Sequence, residues 1–203
     1  MRAVLLALFS AALLCAAPAH ADTVEVAGVK YDTVADVAGQ KLQLNGAGIR
    51  YLAFFKVYTA GLYLPQKADL TEAAVAEPGA KRLRIVALRD ISGERLGKLF
   101  TEGIQANSTH DEFVRSLPGV LKVAQLFAAK QELAKGEEFT VDYVQGTGSI
   151  ISINGKRTGD VIKEPEFYGA LLRIWLGAKP ADSGLKKALL GQVKPHQRTD
   201  ADQ

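Results

Sequence analysis

Residues 45–64 read NGAGIRYLAFFKVYTAGLYL and include the longest apolar block after the amino-terminal segment. The block from Ile49 to Leu64 is rich in aromatic and β-branched residues, which favour β-strands. Because Lys56 lies in its middle, we interpret the block as two strands or one bent strand pair. Gly61 is then expected at a bulge or at a close approach of another segment.

The strands and helices on either side of this block predict the fold class. The strand before it is expected to end at Asn45-Gly46, and an Asp69 start is expected to cap a short helix. Elsewhere we expect strands near residues 24–31, 82–88, 137–144 and 150–153, and helices over 93–106, 109–135 (interrupted near Pro118), 165–176 and 183–190. Strands followed by helices, then strands and helices again, indicate an α+β protein with a largely antiparallel sheet.

Local signals set the helix boundaries. Ser92 is expected to cap the second helix, and Thr109 and Glu112 form a capping-box pattern at the start of the third. Pro165 is typical of a first helical position, and Asp182 or Ser183 is expected to cap the last helix. Asn-Gly at residues 154–155 is a strong hairpin signal.

The amino terminus has the pattern of an export signal. Arg2 precedes an apolar run from Ala3 to Ala17, and the small residues Ala19 and Ala21 match the positions that signal peptidase recognises. We predict cleavage after Ala21, so that residues 1–21 are a signal peptide and residues 22–203 form one domain. The last ten residues, from about 194, are expected to be a frayed tail.

Two membrane-attached alternatives fit the amino terminus less well. The apolar run is shorter than the roughly 20 residues that span a bilayer. A lipoprotein would need a small residue before Cys15, where Leu14 stands. We therefore expect a periplasmic or secreted protein with no integral membrane segment after cleavage.

Composition excludes several kinds of function. Lys and Arg number 25 against 22 Asp and Glu, and this small, scattered excess predicts no nucleic-acid partner. Cleavage would remove Cys15, the only cysteine, and with it any disulfide or thiolate chemistry. His110 and His196 have no partner at ligand spacing, so we predict no metal site and no cofactor.

Two features rise above this background. Arg50 stands beside the longest apolar block, where an unpaired buried charge would be costly, so it either reaches solvent or meets an anion. The helix over 165–176 carries an apolar stripe that includes Phe167, Leu171, Ile174 and Trp175. A helix that packs on a core and a helix that forms a pocket wall need the same stripe, so the pattern leaves both open.

Three segments resemble, in order, the chalcone isomerase family. Gly48-Ile49-Arg50 with Phe55–Leu64 is similar to its amino-terminal signature, residues 92–103 to its central helix, and residues 172–191 to its carboxy-terminal helices. The resemblance is greatest to the bacterial exported branch. It implies an open-faced β-sandwich, in which a large antiparallel sheet is covered on one side by helices and a ligand cleft lies between. Plant members close chalcones to flavanones, whereas relatives of the same fold bind fatty acids or assist without catalysis.

The resemblance also implies a set of site residues. The family arginine falls on Arg50, which would pair with an enolate or a carboxylate. Family polar positions fall on Tyr58 (with Thr59 adjacent) and near Leu96, Gly103 and Ile174, and Tyr63 is expected near the same cleft. The arginine is thus retained while most polar partners become apolar, which predicts a poor isomerase because hydrogen bonds to developing oxygen charge carry much of the rate.

Three functions remain in the sequence-based interpretation. The first is a non-catalytic binding protein whose partner is a small apolar ligand such as a fatty acid. The second is an isomerase of the intramolecular lyase type. The third is a structural or assisting envelope protein without a ligand. Fold alone does not choose among them.

Overall fold

The computed structural model describes residues 22–194. The predicted signal peptide and its cleavage site at Ala21, and the predicted tail beyond Lys194, lie outside these residues. Within 22–194, no helix has both the length and the apolar character needed to span a bilayer.

The described part of the chain folds into eleven strands and five helices. The strands are β1 Thr23–Val26, β2 Val29–Asp32, β3 Val34–Val37, β4 Gln40–Leu52, β5 Phe55–Leu64, β6 Lys81–Ala87, β7 Ile91–Ser92, β8 Glu132–Leu133, β9 Glu138–Val144, β10 Gly148–Ile153 and β11 Lys156–Arg157. The helices are α1 Thr71–Ala76, α2 Gly93–Ala106, α3 His110–Lys130, α4 Pro165–Leu176 and α5 Ser183–Leu189.

Seven strands form one antiparallel sheet in the order β11-β10-β9-β6-β5-β4-β3. The main core lies between one face of this sheet and the helices, and contains buried residues from β5, β6, β9, β10 and α2 to α5. The predicted α+β class, with a large antiparallel sheet covered by helices, is confirmed. The β1–β2 hairpin adds a second, smaller core on the opposite face, together with residues of β3 and β4.

The two faces of β5 belong to these two cores. Tyr58 faces the helices, whereas its neighbour Thr59 faces the hairpin, because successive strand side chains point to opposite sides. Tyr31 of β2 is fully buried there, and its hydroxyl donates a hydrogen bond of 2.7 Å to Thr59 Oγ1. A side chain at Gly61 would lie 2.5 Å from the Tyr31 ring, so the expected close approach is confirmed.

The predicted end of a strand at Asn45-Gly46 is wrong, because β4 continues through both residues to Leu52. The register shifts between Leu44 and Gly46, which marks a bulge and not a turn. The Asn45 amide donates to the carbonyl oxygens of Ala68 and Leu189, at 2.9 and 2.7 Å. Asn45 therefore connects β4 to the segment at Ala68 and to the end of α5 at Leu189. The chain reverses later, at residues 53–54, and gives the two strands expected of the apolar block.

Two helix predictions are also corrected. Helix α3 runs without interruption through Pro118 and ends at Lys130, not Lys135. Ser116, Gly119 and Val120 close to the proline are buried, so tertiary packing holds the helix together despite the missing backbone hydrogen bond. Gln131, with φ of 65°, ends the helix, and residues 132–133 pair with β7 instead. Helix α1 begins at Thr71 without a side-chain cap from Asp69.

The other boundary signals are confirmed. Ser92 accepts a hydrogen bond from the Arg95 amide, both halves of the Thr109–Glu112 capping box are formed, and Asp182 caps α5. Pro165 is the first residue of α4. The turn at residues 154–155 has positive φ at both positions.

Candidate functional site

A cavity of about 240 Å³ lies between the sheet and the helices. The strands contribute its floor, and α2 and α4 contribute its walls. Its lining is mostly apolar, which is typical of small-molecule sites, although these usually measure roughly 300–1,000 Å³. The lining residues are Arg50, Tyr58, Ile85, Ile91, Leu96, Leu99, Phe100, Glu102, Gly103, Phe139, Ile174, Trp175, Lys179 and Ala181.

Arg50 reaches this cavity because of two glycines that precede it on β4. A side chain at Gly48 would lie 2.6 Å from the Ala188 side chain, and one at Gly46 would collide with the Ala188 carbonyl. Helix α5 can therefore lie directly on the strand at these positions. Arg50 is the next residue of β4 on the same face, and its side chain is the first beyond the part of the strand that α5 covers.

The Arg50 guanidinium has no ion pair and no hydrogen bond with any residue of the described part of the chain. Its Cζ atom lies 5.6 Å from the centroid of the Tyr58 ring, and the side chain is half-buried. A guanidinium can donate two parallel hydrogen bonds to a carboxylate. Arg50 thus presents an available cation at the end of an apolar cavity.

Tyr58 and Trp175 form the second polar feature of the cavity. The Trp175 indole Nε1 donates a hydrogen bond of 2.7 Å to the Tyr58 hydroxyl oxygen. The Tyr58 proton has no acceptor among the described residues. Burial raises the pKa of Tyr58 to about 12, against the opposing effects of the Arg50 charge and the Trp175 hydrogen bond. Tyr58 therefore remains a neutral donor near Arg50.

The remaining walls are apolar where the family resemblance implied polar groups. Leu96 is buried on α2, and Gly103, one turn before the end of that helix, contacts Ile174 of α4. A side chain at Gly103 would lie 2.9 Å from Ile174 Cγ2, so the isoleucine occupies the space that a larger residue would need. These positions cannot donate side-chain hydrogen bonds to a bound molecule.

Five of the seven predicted site residues line this one cavity: Arg50, Tyr58, Leu96, Gly103 and Ile174. Thr59 and Tyr63 do not. Both lie on the opposite face of β5, in or beside the smaller core, so their placement near Arg50 is corrected. The reason is strand alternation, since Tyr63 lies an odd number of residues from Tyr58 and faces the other way.

Sequence reasoning left several lining residues out of the site. In the sequence, Trp175 is one member of an apolar stripe, and nothing there indicates that its indole donates a hydrogen bond to Tyr58. Phe100 packs against Trp175 with ring centroids 5.7 Å apart in an edge-on arrangement, and against Phe139 at 5.8 Å. The available signal in the sequence was a single tryptophan on an apolar helix. Assigning that helix to the strands that carry Arg50 and Tyr58 requires the sheet topology.

The rim of the cavity includes charged and exposed residues. Leu99, Glu102 and Lys179 are exposed there. A second hollow, of about 320 Å³, shares Arg50, Ile91 and Leu99 with the cavity and lies towards the β4–β5 turn. Among residues 22–194, no group of histidine, cysteine or carboxylate side chains could hold a metal ion.

Comparison with known proteins identifies the family. The sequence profile described as chalcone isomerase-like matches residues 23–191. The chain belongs to the chalcone isomerase-like family. The family match covers nearly all of the described residues, including both strands that carry Arg50 and Tyr58. A comparison with curated proteins gives no match.

A solved structure has the same chalcone isomerase-like fold. The crystal structure of an Arabidopsis thaliana fatty-acid binding protein superposes with a TM-score of 0.63 at 13% identity, and the match covers 84% of this chain and 97% of that chain. At this identity the likeness establishes the fold alone. The chalcone isomerase-like fold of this chain is thus shared with a protein that binds fatty acids.

Proposed function

We propose that this protein binds a fatty acid or a similar apolar carboxylate in the cavity between sheet and helices. The carboxylate accepts hydrogen bonds from the Arg50 guanidinium and the Tyr58 hydroxyl, and the hydrocarbon chain lies against Leu96, Phe100 and Ile174. The observation that carries the proposal is Arg50, which has no ion pair with a described residue, at one end of an apolar cavity.

The chemistry of the lining supports a carboxylate in particular. Arg50 supplies a positive charge, and Tyr58 supplies a donor that burial keeps protonated. The other polar groups, Glu102 and Lys179, lie at the exposed rim. An apolar neutral ligand would leave the half-buried guanidinium without a partner, which is unfavourable.

Titration of lipid-free protein with a fatty acid tests the proposal, together with native mass spectrometry of protein isolated from its cells. Arg50→Gln should weaken binding about tenfold to a hundredfold, as expected for loss of a charged hydrogen bond. Arg157→Gln, at an exposed position on β11, is the matched control and should bind like the unmodified protein. The unmodified protein should bind the methyl ester of the same fatty acid more weakly than it binds the free acid. Arg50→Gln should bind the ester and the acid with similar affinity.

Ligand-free protein from cells, combined with no fatty-acid binding in the titration, would overturn the proposal. A ligand-free structural or assisting role would then be favoured. The cavity at Arg50 is the feature that favours binding over that role.

An isomerase is the second candidate, because Arg50 and the free Tyr58 proton could both donate to a developing oxyanion. Catalysis is disfavoured because the cavity has no further side-chain hydrogen-bond donors at Leu96, Gly103 and Ile174. Incubation with a chalcone, followed by absorbance, decides between the two. Turnover that is no faster than that of Arg50→Ala would count against catalysis.

The export signal read in residues 1–21 leads us to propose a periplasmic or secreted location for this binding activity. Lipids and fatty acids are available outside the inner membrane, which fits the proposed ligand. The intact mass of the protein from cells tests this part. A mass that includes residues 1–21 would contradict it.

A further inference from the structure

The turn between β4 and β5 exposes an unusual amount of apolar surface. Phe54 is 77% exposed, Phe55 50% and Leu52 46%, and the two phenylalanine rings are 4.2 Å apart between centroids. Large apolar side chains that are exposed together, and not singly, mark interaction sites on soluble proteins. These three residues are called the hairpin tip below.

Turn geometry does not explain the residues of the hairpin tip. The other two-residue hairpin turns of the described chain end in glycine, at Gly28, Gly39 and Gly155. The β4–β5 turn instead has Ala53 with φ of 53°, followed by Phe54. Positive φ at the first turn position favours glycine, and a polar residue would normally follow. Ala27 and Ala38 occupy the first position of two of the other turns with φ of 50° and 52°, so the distinctive residue here is the exposed Phe54 where those turns have glycine.

Cations surround the hairpin tip. Arg89 lies with its Cζ atom 5.2 Å from the centroid of the Phe55 ring, and Lys56 follows directly on β5. The hollow beside the tip is lined by Arg50, Arg89 and Arg95. The one acid in that hollow, Asp90, already accepts a hydrogen bond of 2.7 Å from the Lys135 amide. Positive charge thus predominates on this side, although the whole chain has a net charge of only +3.

The hairpin tip presents apolar side chains with Lys and Arg residues next to them, and this combination is complementary to an anionic lipid surface. The apolar side chains enter the boundary between headgroups and acyl chains, and the cations contact the lipid phosphates. A protein partner would need a complementary acidic groove for the same tip, and nothing in the structure points to one. The hollow shares Arg50 and Leu99 with the cavity, so a bilayer at the tip would lie at the cavity mouth.

We propose that the hairpin tip docks on anionic bilayers, with Leu52, Phe54 and Phe55 inserted and Lys56, Arg89 and Arg95 on the lipid phosphates. In this orientation the mouth of the cavity faces the lipid. Docking does not depend on what the cavity holds, so it can be tested separately from fatty-acid binding.

Flotation of the full protein with vesicles tests the proposal. Vesicles of phosphatidylglycerol mixed with phosphatidylcholine should bind the protein, and vesicles of phosphatidylcholine alone should bind much less. Added salt should weaken the binding, because it screens the contacts between cations and phosphates. Every variant keeps the same amino terminus, so any contribution of residues 1–21 cancels in the comparison.

The double variant Phe54→Ser, Phe55→Ser should reduce partitioning roughly tenfold or more, since most of the inserted apolar surface is lost. Val114→Ser, Leu121→Ser is the matched control, because these α3 residues are 50% and 53% exposed but lie away from the tip. Arg89→Gln with Arg95→Gln should reduce binding to anionic vesicles and weaken its salt dependence, because only Lys56 of the three proposed phosphate contacts is then left.

Equal vesicle binding by the tip variant and the α3 control would overturn the proposal. So would a dimer that forms through the tip without any affinity for vesicles, which sedimentation of the protein alone would detect. Fatty-acid titration of the tip variant should be unchanged, so failure of docking and failure of ligand binding are distinguishable.

Discussion

The Trp175 indole and the Tyr58 hydroxyl are joined by a 2.7 Å hydrogen bond between residues 117 positions apart in the chain. An indole can only donate, so the tyrosine oxygen is the acceptor and its own proton remains available. The bond connects α4 to β5 at the cavity and fixes the direction of the phenol. The same hydrogen bond therefore stabilises the packing of α4 on the sheet and orients a polar group of the proposed site.

Replacing Tyr58 by phenylalanine should lower the free energy of unfolding by about 1–3 kcal/mol, because the buried Trp175 N–H loses its acceptor. Urea unfolding, followed by the fluorescence of the single tryptophan, measures the change. Tyr63→Phe on the same strand is the control, since no hydrogen bond of its hydroxyl is found among the described residues. Equal losses in the two variants would contradict the assigned role of the bond.

The stability difference between the unmodified protein and Tyr58→Phe should depend on pH. Burial raises the pKa of Tyr58 from 10.0 to about 12. The stabilisation associated with this raised pKa is complete below pH 10 and is lost as the pH rises through about 12. The unfolding free energy of the unmodified protein should therefore fall by roughly 3 kcal/mol relative to that of Tyr58→Phe over this window, so that its advantage of about 1–3 kcal/mol disappears or reverses. Urea titrations at stepped pH measure it, and a constant difference would contradict a buried phenol.

Filling the cavity from its rim should block the ligand without removing an existing core contact. Ala181 is half-buried and lines the cavity, so Ala181→Phe places a ring in the free space. We expect fatty-acid affinity to fall at least tenfold while the protein remains folded. Ala73→Phe, on the exposed side of α1, is the matched control. Normal affinity in Ala181→Phe would place the ligand elsewhere.

Adding one methyl group at Gly48 should destabilise the protein by about 1–3 kcal/mol, the usual cost of overpacking. The new Cβ atom would lie 2.6 Å from the Ala188 side chain, so α5 would have to move away from β4. Gly169→Ala provides the comparison, because its Cβ atom would lie 3.3 Å from Val75 within a helix that favours alanine. Thermal unfolding of both variants gives the measurement, and similar melting temperatures would argue against close packing of α5.

Much of the fold followed from local signals in the sequence. The Thr109–Glu112 capping box and the Asn154-Gly155 turn each depend on residues three or fewer positions apart, and both were predicted correctly. The errors came where tertiary contacts override local preference. Pro118 lies inside a continuous helix because packing holds α3 together, and Asn45 continues a strand because its amide bonds to Ala68 and Leu189.

The site was predictable only in part for a related reason. The family resemblance located Arg50, and the structure places Tyr58, Leu96 and Ile174 around the same cavity. Thr59 was misplaced because adjacent residues of a strand face opposite sides of the sheet, so Thr59 cannot face the same cavity as Tyr58. No local pattern pairs Trp175 with Tyr58, since the bond depends on how α4 lies over the sheet.

The sheet divides the molecule into two chemically separate compartments, and this has a consequence for how the protein can change. Tyr58 and Thr59 are adjacent in sequence, but the side chain of one faces the helices and that of the other faces Tyr31. Substitutions that share no partners usually add in free energy. Substitutions in the smaller core beside the β1–β2 hairpin should therefore change the free energy of unfolding without altering the cavity. Ligand preference can then evolve separately from the stability of the protein.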